Sequence, residues 1–106
     1  MSTRATVSVR YSENHYQTVY LHYDGYPKHT GSILKEFYND LARVQALVEG
    51  GEIRYLHQEK GRAEHFQDAT PPTALGSYQS VIDFSRNAAA SYVYVFEDGG
   101  WSCKEL

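Results

Sequence analysis

From Ala5 the chain alternates: Ala5, Val7, Val9 and Tyr11 fall on one side, and Thr6, Ser8 and Arg10 on the other. That period of two predicts a half-buried strand. Ser12-Glu13-Asn14-His15 has turn chemistry. A second strand is expected over about Tyr16 to Tyr23, with Val19, Leu21 and Tyr23 on one face and Tyr16, Thr18, Tyr20 and His22 on the other. Two such runs joined by a few polar residues predict a hairpin. Asp24-Gly25-Tyr26-Pro27 then ends the strand, since Gly25 tolerates positive φ and Pro27 has no amide hydrogen for a ladder.

The pattern next changes period. Leu34, Phe37, Leu41, Val44 and Val48 step by three and four, Ile33 and Leu47 widen the stripe, and Lys35, Glu36, Asn39, Asp40, Arg43 and Gln45 hold the opposite face. This spacing predicts one long amphipathic helix from Ser32, its expected N-cap, to Glu49, closed by Gly50-Gly51. Glu52 to Gln58 has the alternation of a short strand, with Ile53, Tyr55 and His57 set against Arg54 and Leu56. Glu59 to Gly76 is polar, carries Gly61 and Pro71-Pro72, and is expected to be a long surface loop. Ser80 to Ala90 fits either a short helix or a loop. Tyr92-Val93-Tyr94-Val95-Phe96 has strong β propensity, Asp98-Gly99-Gly100 is a hairpin turn, and Trp101 to Lys104 returns as a last strand. The expected fold is one α+β domain over residues 1–106: a small antiparallel sheet with a single long amphipathic helix packed across one face.

Composition narrows the function classes. A formal charge of −3 provides no general attraction to nucleic acid or to a membrane surface. The single cysteine, Cys103, excludes an internal disulfide and suggests a reducing compartment. Met1-Ser2-Thr3-Arg4-Ala5 lacks the apolar segment of a signal peptide, and no apolar run approaches the ~20 residues a membrane span needs. A cytoplasmic location is expected. Tyrosine is enriched, at 10 of 106 residues, which favours half-buried positions and contact surfaces.

Candidate chemistry gathers in His22-Tyr23-Asp24-Gly25-Tyr26-Pro27-Lys28-His29, between a strand and a helix start. In a functional reading His22, Asp24 and His29 are acid–base or ligand groups and Lys28 holds an anion near backbone amides. In a structural reading Asp24 caps local amides and Tyr26 packs on the core. No zinc spacing, nucleophile elbow, phosphate loop or dinucleotide fingerprint occurs, so no catalytic residue, metal or cofactor is assigned. Cys103 is read as a passive, partly buried thiol. Tyr20, His22, Tyr92, Tyr94 and Phe96 lie opposite valines within their own strands, which suggests a second, aromatic sheet face. Such a face is covered by the 59–76 segment, contacts a protein, or stacks bases; the acidic charge argues against bases. A homodimer with Tyr92, Tyr94 or Trp101 at its interface would also cover it.

Ser2-Thr3-Arg4-Ala5-Thr6-Val7, followed by Tyr20-x-His22-x-Asp24-Gly25-Tyr26-Pro27 and Gly31, resembles a set of short phage and prophage proteins. Their members open with the same STRAT stretch and carry a tyrosine–histidine–DGYP segment before a helix. The resemblance covers about the first 45 residues and implies a phage or mobile-element origin, with no activity attached. Similar proteins often have Trp where this chain has Tyr23. The expectation is a non-enzymatic, phage-type binding protein acting on a host protein, a defence component being one such target. The alternative is a small-ligand or nucleotide binder, or hydrolase, using the His22–His29 turn. Candidate binding residues are Tyr20, His22, Asp24, Tyr26, Lys28, His29, Tyr92, Tyr94 and Trp101.

Overall fold

The computed structural model describes residues 3–106; Ser2, which opens the STRAT stretch, lies outside the described residues. Seven strands form one mixed sheet: β1 (Ala5–Ser12), β2 (His15–Leu21), β3 (Ile53–Leu56), β4 (Ala63–His65), β5 (Thr73–Leu75), β6 (Tyr92–Glu97) and β7 (Gly100–Glu105). Their order is β4-β3-β2-β1-β6-β7, with β5 also pairing β2. β1 and β2 make the expected antiparallel hairpin, Ala5 opposite Leu21 and Val7 opposite Val19. β6 and β7 make the second, around Asp98 and Gly99 with φ of 52° and 76°, the left-handed pair that a tight hairpin turn requires. β1 and β6 run parallel, as do β2 and β3 through the single pair Leu21–Ile53.

Among the described residues three short α-helices cover both faces. α1 (Ser32–Phe37) and α2 (Leu41–Glu49) lie on one, α3 (Tyr78–Asn87) on the other. The expected small antiparallel sheet under one long helix is therefore not the architecture. The predicted helix breaks at 38–40, where Tyr38 leaves helical geometry at φ −123°, ψ 68° and the Asp40 carboxylate accepts the Arg43 amide at 2.9 Å. Asp40 is the N-cap of a new helix, and an Asx side chain that captures a backbone amide starts a helix more readily than it continues one. The break resets the helical phase. Ile33, Leu34, Val44, Leu47 and Val48 are buried as expected, whereas Leu41 is 47% exposed. Ser32 is the first residue of α1 rather than its cap, following a wide helical turn over Pro27–Gly31.

The 59–76 segment carries β4 and β5 and is not a structureless loop. The ambiguous run after Gly76 is α3, capped by Ser77 Oγ accepting the Ser80 amide at 3.0 Å. Beneath α3 the sheet presents small polar residues, satisfied in pairs: Thr6 with Ser85 and Ser8 with Thr18, both at 2.7 Å. Val81 and Ile82 pack there against Val93, Val95 and Tyr16.

Register also divides the aromatic stripe between the two faces. Val7 is opposite Tyr94 and Val9 opposite Phe96, and residues paired across strands share a face. Tyr94 and Phe96 therefore join the β1 valines in the core under α1 and α2, and Tyr92 packs against its margin. Tyr20 lies on the α3 side, opposite Thr6. Alternation within a strand sets only relative faces; the partner's register decides which face is which.

Candidate functional site

The residues singled out between Tyr20 and His29 divide between half-buried, exposed and buried positions. Tyr20 is half-buried and its hydroxyl donates to the Ala88 carbonyl at 2.8 Å. His22 Nε2 bonds the Glu52 carboxylate, and its ring meets Tyr20 and Phe66 edge to face. Asp24, rather than Gly25, takes the left-handed conformation, at φ 55°. Its carbonyl accepts the buried Thr30 hydroxyl at 2.8 Å. Gly25 is required for a different reason: a Cβ there would lie 2.8 Å from Ala5 Cβ and 3.0 Å from the Thr3 carbonyl oxygen. His29 is buried and donates Nε2–H to the Leu56 carbonyl at 2.6 Å, with its ring stacked on Tyr55 at 5.0 Å. Lys28 and Tyr26 face solvent.

The remaining candidates belong to the core or its margin. Tyr94 is 1% exposed and donates its hydroxyl to the Gly25 carbonyl at 2.7 Å. Burial raises its phenol far above the ordinary range. Tyr92 is half-buried, and Trp101 is held by Nε1–H donation to the Tyr38 carbonyl at 2.8 Å and by Phe96 edge to face. Cys103 is an exposed residue whose thiol is raised by the desolvation its neighbours impose, which disfavours the nucleophilic thiolate.

Histidines converge instead on β3. His22 bonds Glu52 just before the strand, His29 takes its Leu56 carbonyl, His57 Nε2 meets Glu64 at 3.1 Å, and His65 Nδ1 donates to the Gly51 carbonyl at 3.0 Å. His22 and His29 thus fasten the β3 segment to the end of β2 and to the turn before α1, while His57 and His65 join β4 to the residues flanking β3. The backbone adds to these ties: the Tyr23 amide donates to the Arg54 carbonyl and the His22 amide to that of Ile53, both at 3.1 Å, and the Glu52 amide donates to the Thr70 carbonyl at 2.9 Å.

Those fastenings hold an exposed group that sequence pattern did not single out. Between β3 and β4, Ile53 pairs with His65 and Tyr55 with Glu64, so Arg54 is an extra, bulged residue. The expected alternation of Ile53, Tyr55 and His57 against Arg54 and Leu56 fails for that reason, and both Ile53 and Leu56 are buried. Arg54 turns toward the end of β2, its guanidinium 5.9 Å from the Tyr23 ring centroid, and donates to Glu64 Oε2 at 3.0 Å. His57, bonded to the other Glu64 oxygen, is the main cause holding that carboxyl below its ordinary range; Arg54 adds to it. Tyr23, Arg54, Tyr55 and Glu64 line an open hollow of about 320 Å³. Tyr23 is 43% exposed, the Arg54 side chain 55%, and Tyr26, on the turn between Tyr23 and the buried His29, 38%.

Among the described residues no three His, Cys, Asp or Glu side chains are grouped as a metal site would need. No helix among them is long and apolar enough to cross a membrane. Comparison with family models, curated proteins and solved structures finds no match.

Proposed function

We propose that this chain is a phage-type, non-enzymatic binding protein that acts on a host protein in the host cytoplasm, with defence components among its candidate targets. Its contact face is the group formed by Tyr23, Tyr26, Arg54 and Tyr55. The observation that carries this reading is the bulge at Arg54, which sets a guanidinium and two tyrosine rings around one open hollow. Tyrosine and arginine supply most of the energy of many protein interfaces, because each offers broad apolar area with directional polar atoms. His22, His29, His57 and His65 are each hydrogen-bonded within or to the β3–β4 segment that carries that face. The phage assignment rests on the STRAT and DGYP segments alone.

The test is comparative capture from host lysate, with wild type, a Tyr23→Ser/Arg54→Ala double variant, and Tyr78→Ser as a control on exposed α3 surface. The reading expects a protein retained by wild type and Tyr78→Ser and lost with the double variant. Equal retention by all three, or loss with Tyr78→Ser alone, would reject this face.

A further inference from the structure

Arg54 has more hydrogen-bonding capacity than its own structure uses. A guanidinium carries five N–H donors in a planar fork. Among the described residues, one terminal nitrogen donates to Glu64 Oε2 at 3.0 Å. The Tyr23 ring lies against the cation, and the hollow opens between Tyr23, Tyr55 and Glu64. A fork steadied by one carboxylate and one ring has lost much of the rotamer freedom that binding would otherwise remove, which favours recognition of a second anion.

The surroundings select which anion. Glu64 borders the hollow and stays ionised, its two oxygens engaged by Arg54 and His57. A dianion seated on Arg54 would place two charges beside that carboxylate and a monoanion only one, so the repulsion from Glu64 is smaller for a monoanion. The chain's net charge of −3 adds no general attraction, so affinity must come from the local fork. Two tyrosine rings flank the approach and suit the methylenes of a side chain.

Resting on the protein-binding reading above, we infer that the Arg54 hollow is a carboxylate subsite that seats an acidic side chain of the partner, Asp or Glu, on the free edge of the Arg54 guanidinium.

The experiment is an amide and arginine-side-chain NMR titration of the whole protein with N-acetyl-glutamate N-methylamide. The glutamine analogue and inorganic phosphate serve as comparisons. The inference expects saturable shifts at Tyr23, Arg54, Tyr55 and Glu64 with the glutamate compound and none with the glutamine compound. Arg54→Gln, at an exposed position, should fold and weaken the response roughly tenfold or more, as loss of a charged hydrogen bond implies. Arg54→Lys should restore part of it. Shifts spread equally over Lys28, Lys35 and Arg86, or a response unchanged in Arg54→Gln, would overturn the site. Saturation by phosphate but not by the glutamate compound would overturn the acidic-side-chain assignment. Its failure is separable from that of the binding face: capture lost with Tyr23→Ser but kept with Arg54→Gln removes only the carboxylate subsite. A glutamate response in a protein whose capture ignores both changes removes only the binding face.

Discussion

Replacing Tyr94 with Phe deletes one oxygen from the centre of the molecule and leaves the ring in place. That oxygen donates to the Gly25 carbonyl at 2.7 Å and ties β6 to the turn that leads into α1. Tyr94 is 1% exposed, and Gly25 is buried beside it. The variant therefore loses a hydrogen bond and strands an acceptor, which costs about 1–3 kcal/mol. For a domain of this size that is a fall in melting temperature of roughly 4–8 °C per kcal/mol. Urea unfolding of both proteins, with the slope m unchanged, measures it directly. A second consequence follows from the phenol's raised pKa, caused by burial. The folded protein keeps the proton that the unfolded chain releases above its ordinary pKa of about 10. The unfolded state then binds fewer protons, so stability present below that pH is lost progressively as pH rises beyond it. Tyr94→Phe should flatten that alkaline decline. A cost under about half a kcal/mol, the range of unremarkable surface changes, together with an unaltered alkaline limb, would refute the buried role of this hydroxyl.

Leu34→Ala should cost about 2–5 kcal/mol in a denaturation series, while Leu41→Ala, at an exposed position, should cost under about half a kcal/mol; a reversed order would restore the unbroken helix. Asp40→Ala should cost about 1 kcal/mol through the lost cap, and an unchanged midpoint would mean α2 starts elsewhere. Gly25→Ala should destabilise by about 1–3 kcal/mol through overpacking against Ala5 and the Thr3 carbonyl, and a neutral result would show that the turn can retreat. His57→Ala should move the Glu64 carboxyl up toward its ordinary value, as read by NMR of its side-chain carbon. Because that carboxyl is held low, its contribution is present above the ordinary pKa and lost as pH falls through the folded value. An unshifted Glu64 would mean that Arg54 alone holds it.

The two hairpins were legible because their signals are local. Alternation in Ala5–Tyr11 and the Asp98-Gly99 turn need no knowledge of distant residues. The break at 38–40 was visible only as Asn39-Asp40 on the polar face, where both residues are acceptable in a helix; Asp40 acts as a cap because tertiary packing rewards a reset of phase. Parallel pairing of β1 with β6 joins residues some ninety positions apart and leaves no mark in either strand. The aromatic stripe was misassigned for the same reason. Of the candidate face, Tyr26 is among the candidate binding residues of the sequence, Tyr23 falls with Val19 and Leu21 on one face of the expected second strand, and Arg54, Tyr55 and Glu64 are not among the candidates. A bulge exists only in relation to the opposing strand, and here that strand is three residues inside a segment read as loop. The available signal was the adjacent Arg54-Tyr55 pair, two interface-favoured side chains on a strand too short to bury both.

The contact face can be tested most directly by hydrogen exchange on the protein, free and bound to the target that the comparative capture identifies. The account predicts slowed exchange in β3, in β4 and in the turn from Tyr23 to Tyr26, with α3 and β7 unchanged. Protection confined to α3 or to the β7 edge, with the Arg54 region exchanging as in the free protein, would contradict it.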